Sequence, residues 1–398
     1  MRQRRSLDVT VFALEREVQA AWKVQNFDLD AFASVASEAL ENALAGGRIT
    51  QRSLLDWLAE SPPLPKQPRL DQTFGQPPIT LAWNGAFQID MLFWSAAGTA
   101  IHGHGFAGAF GVVGGESLHF NFQFAEKSRP AEHFRIGSLK RNSVERLFPG
   151  AVRQILAGSD IMHALVHLGR PSVSIVVRTC GNAPGIQEMV AFPPTVTLSP
   201  LPEQSLRVRQ MQMLDMLLTV APEKAEKFAN AILKQCDIHT AFKVLCSTDG
   251  RFADGVVLDR LGIELMALPA AVRQNARRQR ADALFRRVSD VRARALLALL
   301  LFNSNAAAIM QDILDMYPEE DCVVFVGEAL ARLAGIGLES SEDRSIAVML
   351  GKEVAIAAGK LSTEDSHNEV DSLCKLLAED ILFNPLFTLC ADKIREGC

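Results

Sequence analysis

The sequence predicts an α+β protein in which a central all-β sandwich or barrel lies between an N-terminal helical segment and a C-terminal all-α domain. Apolar residues recur at helical spacing over residues 7–60, and again from about residue 203 onward. Between these regions, residues 75–198 carry few charges and many Gly, Phe and Val residues, with turn signals about every 8–12 positions. The 398-residue length suits two or three domains of about 150 residues. We expect domains at 1–68, 69–198 and 199–398.

Composition excludes several classes of protein. Hydrophobic residues make up 48% and charged residues 22% of the chain, which excludes disorder, collagen and coiled coil as the main state. A net charge of −5 disfavours a general nucleic-acid binder. No run of about 18 apolar residues occurs, so no membrane span is expected. The seven cysteines form no Cys-x-x-Cys pair, and no apolar leader follows the basic start. We therefore expect a cytoplasmic protein with reduced thiols.

The N-terminal segment is predicted to be helical up to a proline-rich linker. Phe12, Leu14 and Val18 fall at roughly helical spacing, and Gly46-Gly47 is a helix stop signal. Prolines crowd residues 61–68, where a helix cannot continue because each proline removes a backbone donor.

The central region is predicted to contain nine short strands separated by turn signals such as Asn84-Gly85 and Gly114-Gly115. The predicted strands are 79–83, 87–94, 100–104, 109–113, 117–124, 144–148, 151–156, 161–167 and 172–178. In the fifth, His119, Asn121 and Gln123 alternate with phenylalanines, and either side could face the core. The charged stretch 125–143 is predicted to be a loop that could act as a lid.

The C-terminal region is predicted to be helical throughout. The predicted helices are 206–220, 222–235, 270–288, 291–302, 306–316, 321–333 and much of 343–397. A run of arginines marks this region: Arg273, Arg277, Arg278, Arg280, Arg286, Arg287, Arg292 and Arg294. Two interpretations are open: a solvated helical face, or a contact for RNA, an acidic carrier protein or an acidic peptide. The domain could also form a homodimer or bind a protein partner.

Six of the eight histidines lie within the predicted β region: His102, His104, His119, His133, His163 and His167. Residues two apart on a strand share a face, so His102 and His104 point the same way, as do His163 and His167. Three or four imidazoles that converge inside a small barrel form a site suited to Fe, Zn, Cu, Ni or Mn. The sequence therefore predicts a metal centre among these histidines.

Two segments resemble the paired motifs of the cupin superfamily. Residues 98–115 contain His102-Gly-His104 followed by a glycine-rich run, as in the first cupin motif. In residues 158–167, His163 occupies the metal-ligand position of the second motif and His167 the position that is commonly Asn. The resemblance covers about residues 75–185. It implies a double-stranded β-helix barrel and a metal held by His102, His104 and His163.

The chain departs from the usual cupin pattern at one ligand. The usual glutamate position holds Gly108 or Ala109, neither of which can ligate a metal through its side chain. Three histidines without a carboxylate are similar to the cysteine dioxygenase-like branch, which implies a mononuclear Fe(II) site that leaves positions for substrate and O₂. The catalytic His and Tyr of that branch would fall near Arg178 and Cys180, so this pair is not retained.

Three neutral imidazoles leave a bound dication with its full charge, so we expect a small anionic substrate. Arg178 has the strand parity to face inward and bind a carboxylate; the alternative is an exposed strand-end arginine. His167 could orient substrate, transfer a proton or ligate a metal such as zinc; otherwise it is a satisfied barrel histidine.

The function predicted from these residues is that of a non-heme iron oxygenase using O₂ on a small anionic metabolite, an amino acid or a thiol. Two alternatives stay open. One is an isomerase, lyase or hydrolase that uses Mn, Ni or Zn. The other is a metal-binding sensor or docking module without catalytic activity.

Overall fold

The computed structural model describes residues 2–60, 64–68, 74–95, 98–158, 160–199, 206–248, 250, 267–303 and 306–333. Within these residues the chain forms ten helices and eleven strands, with helices on both sides of the β region in sequence. The helical prediction for 343–397 lies outside the described residues. None of the described helices is both long and apolar enough to cross a membrane.

Helices, strands and helices follow one another as predicted, and the strands at 189–192 and 196–198 and the helix at 238–247 were not predicted from the sequence. The N-terminal helices are α1 (Arg2–Val24), α2 (Leu29–Ala45) and α3 (Gln51–Glu60). The strands are β1 (Pro78–Trp83), β2 (Phe87–Trp94), β3 (Ile101–Gly103), β4 (Gly108–Gly114), β5 (Ser117–Ala131), β6 (Phe134–Leu147), β7 (Val152–Ile155), β8 (Ile161–His167), β9 (Ser172–Thr179), β10 (Met189–Phe192) and β11 (Val196–Leu198). The later helices are α4 (Leu206–Val220), α5 (Pro222–Leu233), α6 (Ile238–Ser247), α7 (Ala267–Arg287), α8 (Val291–Phe302), α9 (Ala306–Met316) and α10 (Cys322–Leu333).

The strands form two antiparallel sheets that pack against each other. One sheet has five strands in the order β1-β2-β9-β4-β7; the other has six in the order β10-β11-β6-β5-β8-β3, and its end strands pair to close a barrel. Leu92 and Val176 of the first sheet share a core cluster with Leu147 and Leu165 of the second. We call the space between these facing sides the inner space. The predicted mixture of helices with a closed barrel is therefore confirmed.

Helices cover the outer faces of both sheets. Val173, Ile175 and Val177 of β9 pack outward with the buried residues of α1–α3, whereas Val176 faces the inner space. A strand covered on both sides is buried throughout, which explains why β2 and β4 are buried at every position.

The helices on the second sheet determine which side of β5 faces outward. Phe120, Phe122 and Phe124 pack outward with residues of α8–α10, and the ring centroids of Phe120 and Phe302 lie 4.6 Å apart. His119 lies on the opposite side of the strand, where it contacts Phe110 and His163. Around His119 both sides of β5 are buried and the histidine side faces the inner space, whereas farther along that side Asn121 is half-buried and Gln123 is exposed.

The prediction of a loop and lid at 125–143 is wrong. β5 and β6 continue through this region as a long hairpin. The outer part of β5 is exposed, and its register shifts near Asn121, Glu126 and Ser128, so period-two alternation is lost. Phe134 anchors the hairpin against Phe242 of α6, with ring centroids 5.7 Å apart. The exposed charges of a solvated hairpin therefore resemble those of a loop.

The arginine run is not a uniformly solvated helical face. Arg294 of α8 is fully buried and donates to the backbone carbonyl oxygens of Phe285 (2.8 Å), Val288 (3.1 Å) and His167 (2.5 and 3.2 Å). Burial, followed by the nearby charge of Arg170, lowers the pKa of Arg294 to about 10. The guanidinium is therefore charged at neutral pH and links the helical layer to the end of β8.

Replacing Arg294 with Met is expected to lower the free energy of unfolding by about 3 kcal/mol, because it leaves buried carbonyl groups without a donor. Arg292→Met is the matched control. Arg292 is 38% exposed and pairs with Glu320 and Glu328, so its loss should cost at most about 1 kcal/mol. Urea denaturation followed by circular dichroism measures both. Equal losses would contradict a special role for Arg294.

Candidate metal centre

Three histidines converge on the inner space. His102 lies on β3 directly opposite His163 of β8, and His104 follows one residue after β3 ends. One ring nitrogen from each residue lies within 4.8 Å of the others. No second group of three possible ligands is found among the described residues. The structure thus brings together the three histidines that the sequence predicts as metal ligands.

The hydrogen bonds orient the three rings. His102 Nδ1 lies 2.8 Å from the carbonyl oxygen of Ala100, so Nδ1–H donates and Nε2 keeps its lone pair. The Nε2 atoms of His104 and His163 lie 2.9 Å apart. His102 Nε2 and His104 Nδ1 are buried and have no hydrogen-bond partner among the described residues. Converging imidazole nitrogens, with no carboxylate among them, fit a divalent metal such as Fe, Zn, Mn or Ni.

The surroundings of the rings keep them neutral. Three phenylalanines lie against the three imidazoles. The ring centroids are 5.2 Å apart for Phe74 and His102, 4.5 Å for Phe106 and His104, and 6.1 Å for Phe110 and His163. Burial lowers the pKa of His102 to about 4 and holds the pKa of His104 and His163 well below the usual range. Neutral imidazole is the form that binds a metal.

The structure explains why no carboxylate joins the histidines. Gly108 lies opposite Arg178 of β9, and a Cβ at position 108 would stand 2.2 Å from the carbonyl oxygen of Val177. Ala109, the other candidate position, packs with the buried residues of the N-terminal helices. No side chain at either position can reach the three rings, so the candidate site has three histidines and no carboxylate from β4.

Gly108→Ala is expected to destabilise the protein by about 1–3 kcal/mol, because the added methyl group meets backbone rather than a movable side chain. Gly158→Ala is the control, since the nearest atom to a Cβ there is 3.9 Å away. Thermal unfolding of both variants measures the difference. An unchanged melting temperature for Gly108→Ala would argue against the close approach of β4 and β9.

The ring nitrogen of His163 that points away from His104 is hydrogen-bonded to His119, which is in turn hydrogen-bonded to a carboxylate. His163 Nδ1 lies 2.9 Å from His119 Nε2, and His119 Nδ1 lies 2.9 Å from Glu145 Oε1. Glu145 also accepts hydrogen bonds from Arg153 at 2.5–3.0 Å. Burial alone would raise the pKa of Glu145, but the hydrogen bonds from His119 and Arg153 outweigh it and lower that pKa to about 2. The sequence left the role of His119 open and missed Glu145.

Arg178 faces the inner space, as its strand parity predicts. Its side chain is 12% exposed, its Nε lies 2.9 Å from Asp90 Oδ2, and its guanidinium stands 4.9 Å from the Phe106 ring centroid. Asp90 also accepts hydrogen bonds from Thr80 and Gln88. The alternative of an exposed strand-end arginine is wrong. Sequence reasoning missed Asp90, although a lone carboxylate in the apolar strand β2 was an available signal.

His167 lies apart from the three histidines. Its ring stacks on Trp94 at 4.5 Å, its Nδ1 lies 2.9 Å from Ser117 Oγ, and its buried Nε2 has no partner among the described residues. It lies four residues beyond His163 on β8, or about 13 Å along an extended strand. This separation excludes His167 as a fourth ligand to the same ion. Its predicted role in substrate binding or proton transfer stays a prediction.

Stability is expected to fall as the pH drops below about 6.5, where unfolded histidine binds a proton. Burial lowers the folded pKa of His167 to about 3, so only the unfolded chain is protonated between these values. The loss is about 1.4 kcal/mol per pH unit for each such histidine. His167→Phe can keep a ring against Trp94. This variant should lower the pH dependence of the free energy of unfolding by the contribution of one histidine, about 1.4 kcal/mol per pH unit.

Ser117→Ala is the matched control for this titration. It removes the hydrogen bond to His167 Nδ1 and leaves the buried imidazole in place. The pH dependence of the free energy of unfolding should therefore equal that of the wild type. The free energy of unfolding, measured in urea between pH 4 and about 7, tests both variants. A His167→Phe variant with the full slope would contradict the prediction.

No protein-family model matches this sequence, and a search of curated proteins gives no match. Among solved structures, DMSP lyases match at 16% identity over 29% of this chain and 51% of theirs, with a TM-score of 0.20. The cysteine peptidase Peruvianin-I from Thevetia peruviana latex matches at 18% over 27% and 56%, with a TM-score of 0.18. A recombinant oxalate oxidase in complex with glycolate matches at 16% over 43% and 78%, with a TM-score of 0.22.

The chain spans only about half the length of the first two of these structures. TM-scores near 0.2 are too low to establish a shared fold or function. The conclusions about the site therefore rest on its own residues.

Proposed function

We propose that this chain is a cupin-type mononuclear non-heme iron oxygenase that uses O₂ on a small anionic metabolite, an amino acid or a thiol. The observation that carries the proposal is the convergence of three neutral histidines, two of them buried and His163 half-buried, without a carboxylate. His102, His104 and His163 would hold Fe(II). When bound, the ion would supply a Lewis-acidic centre with coordination positions left for small ligands.

The charges around the site support an anionic substrate. Asp90 offsets the charge of Arg178, and the three imidazoles carry none, so a bound dication would be the main uncompensated charge in this part of the inner space. Arg178, held through its Nε by Asp90, would help to orient a substrate carboxylate. Phe106, between Arg178 and His104, would keep water from the site.

Metal content tests the proposal most directly. The protein is purified anaerobically without a metal-affinity tag, beside a His102→Ala/His104→Ala double variant and a His133→Ala control at the exposed hairpin turn. We expect close to one iron per wild-type and control chain, and loss of iron from the double variant because two of three ligands are gone. Elemental analysis measures all three.

The result also separates the alternatives. Stoichiometric zinc, manganese or nickel would favour an isomerase, lyase or hydrolase, and turnover without O₂ would support that assignment. Iron with O₂ uptake on amino acids or thiols supports the oxygenase. A loaded site that consumes no O₂ with these pools would favour a sensor or docking module. No metal in any protein, even after Fe(II) is added, would overturn the metal centre.

A further inference from the structure

We infer that His119 and Glu145 act as positioning residues that determine which ring nitrogen His163 presents to a metal. The inference rests on the proposed metal centre and deepens it. His119 of β5 lies directly opposite Glu145 of β6, and His163 lies on β8, the strand on the other side of β5. Three neighbouring strands thus place a carboxylate, an imidazole and a metal ligand in one hydrogen-bonded chain.

The chemistry of the groups sets the direction of this chain. An ionised carboxylate only accepts hydrogen bonds, so His119 Nδ1–H must donate to Glu145. A cation held by His163 would disfavour a second positive charge on the adjoining imidazole, so His119 is neutral in the loaded site and its other nitrogen, Nε2, accepts. His163 must donate from Nδ1–H to fill it, and this leaves the lone pair of His163 on Nε2. That atom is the one that faces His104.

The other two ligands are oriented differently. His102 Nδ1 is held by the carbonyl oxygen of Ala100, a backbone group that no substitution removes. His104 Nδ1 has no partner among the described residues. Of the three, His163 is the one whose second ring nitrogen is hydrogen-bonded to another side chain. Arg153 completes the arrangement because it fixes the carboxylate of Glu145.

Loss of such an outer partner commonly costs about 10–100-fold in metal affinity. The test uses Zn²⁺ as the probe, because it binds imidazole and is diamagnetic. The variants are His119→Leu, which removes both hydrogen bonds, and Glu145→Gln, which keeps an acceptor without its charge. His119→Gln is the conservative variant, whose side-chain oxygen can still accept from His163.

Glu116→Gln is the matched control. Glu116 is a half-buried carboxylate, 30% exposed against 32% for Glu145, and it accepts from Arg146 on the same hairpin without touching a histidine. Chelator competition gives the Zn²⁺ dissociation constant, and ¹⁵N–¹H spectra of the loaded protein report which nitrogen of His163 carries the proton. Thermal unfolding of each metal-free variant shows that it is folded.

We expect His119→Leu to weaken Zn²⁺ binding about 10–100-fold and to lose the ordered Nδ1 proton of His163. Glu145→Gln should weaken binding less, His119→Gln should recover part of it, and Glu116→Gln should leave it unchanged. If the buried His119→Leu variant does not fold, the comparison of Glu145→Gln with Glu116→Gln decides.

Two results would overturn the inference, and they differ from each other. Wild-type protein that binds one Zn²⁺, while the folded His119 and Glu145 variants bind it equally tightly, would refute the positioning chain alone. Wild-type protein that binds no Zn²⁺ or Fe(II) would refute the proposed metal centre, and the positioning chain with it.

Discussion

The covering of both outer sheet faces by helices is the constraint on which the rest of the structure depends. Helices α1–α3 cover the first sheet and α8–α10 the second, so apolar side chains on the outer faces find partners there. The inner space is therefore not the only hydrophobic core of the protein. It can hold His119, Gln88 and Asp90 beside its apolar cluster because the strands are already stabilised from outside.

Polar groups in this inner space are stabilised by neutrality or by pairing. The imidazoles stay uncharged because burial makes protonation costly, and the two buried charges of Arg178 and Asp90 neutralise each other. Glu145 lies at the edge of the site, where Arg153 and His119 compensate its charge. A divalent cation would be stabilised among these groups. Within the part of the chain that the structure describes, the imidazole lone pairs that face the site make hydrogen bonds only with one another, so no other donor would compete with the cation for them.

Sequence reasoning succeeded where local pattern decides the structure and failed where distant partners decide it. The strand that carries His163 and the spacing of His102 and His104 are local, so the convergence of these three histidines could be predicted. The phenylalanine side of β5 is buried by helices more than 100 residues away in sequence, so the side on which His119 lies could not be decided. Glu145 lies opposite His119 because β5 and β6 form a long hairpin. The exposed charges of that hairpin have the sequence pattern of a loop, so the pairing could not be predicted.

Arg294 joins two regions that the sequence treats as separate domains. Its guanidinium donates two hydrogen bonds to the carbonyl oxygen of His167, the last residue of the strand that carries His163. Hydrogen bonds therefore connect the helical layer directly to the strand that carries one of the three clustered histidines. A ligand or partner that displaced α8 would pull on β8 directly, so occupancy of the helical surface and the geometry of the histidines would be thermodynamically coupled.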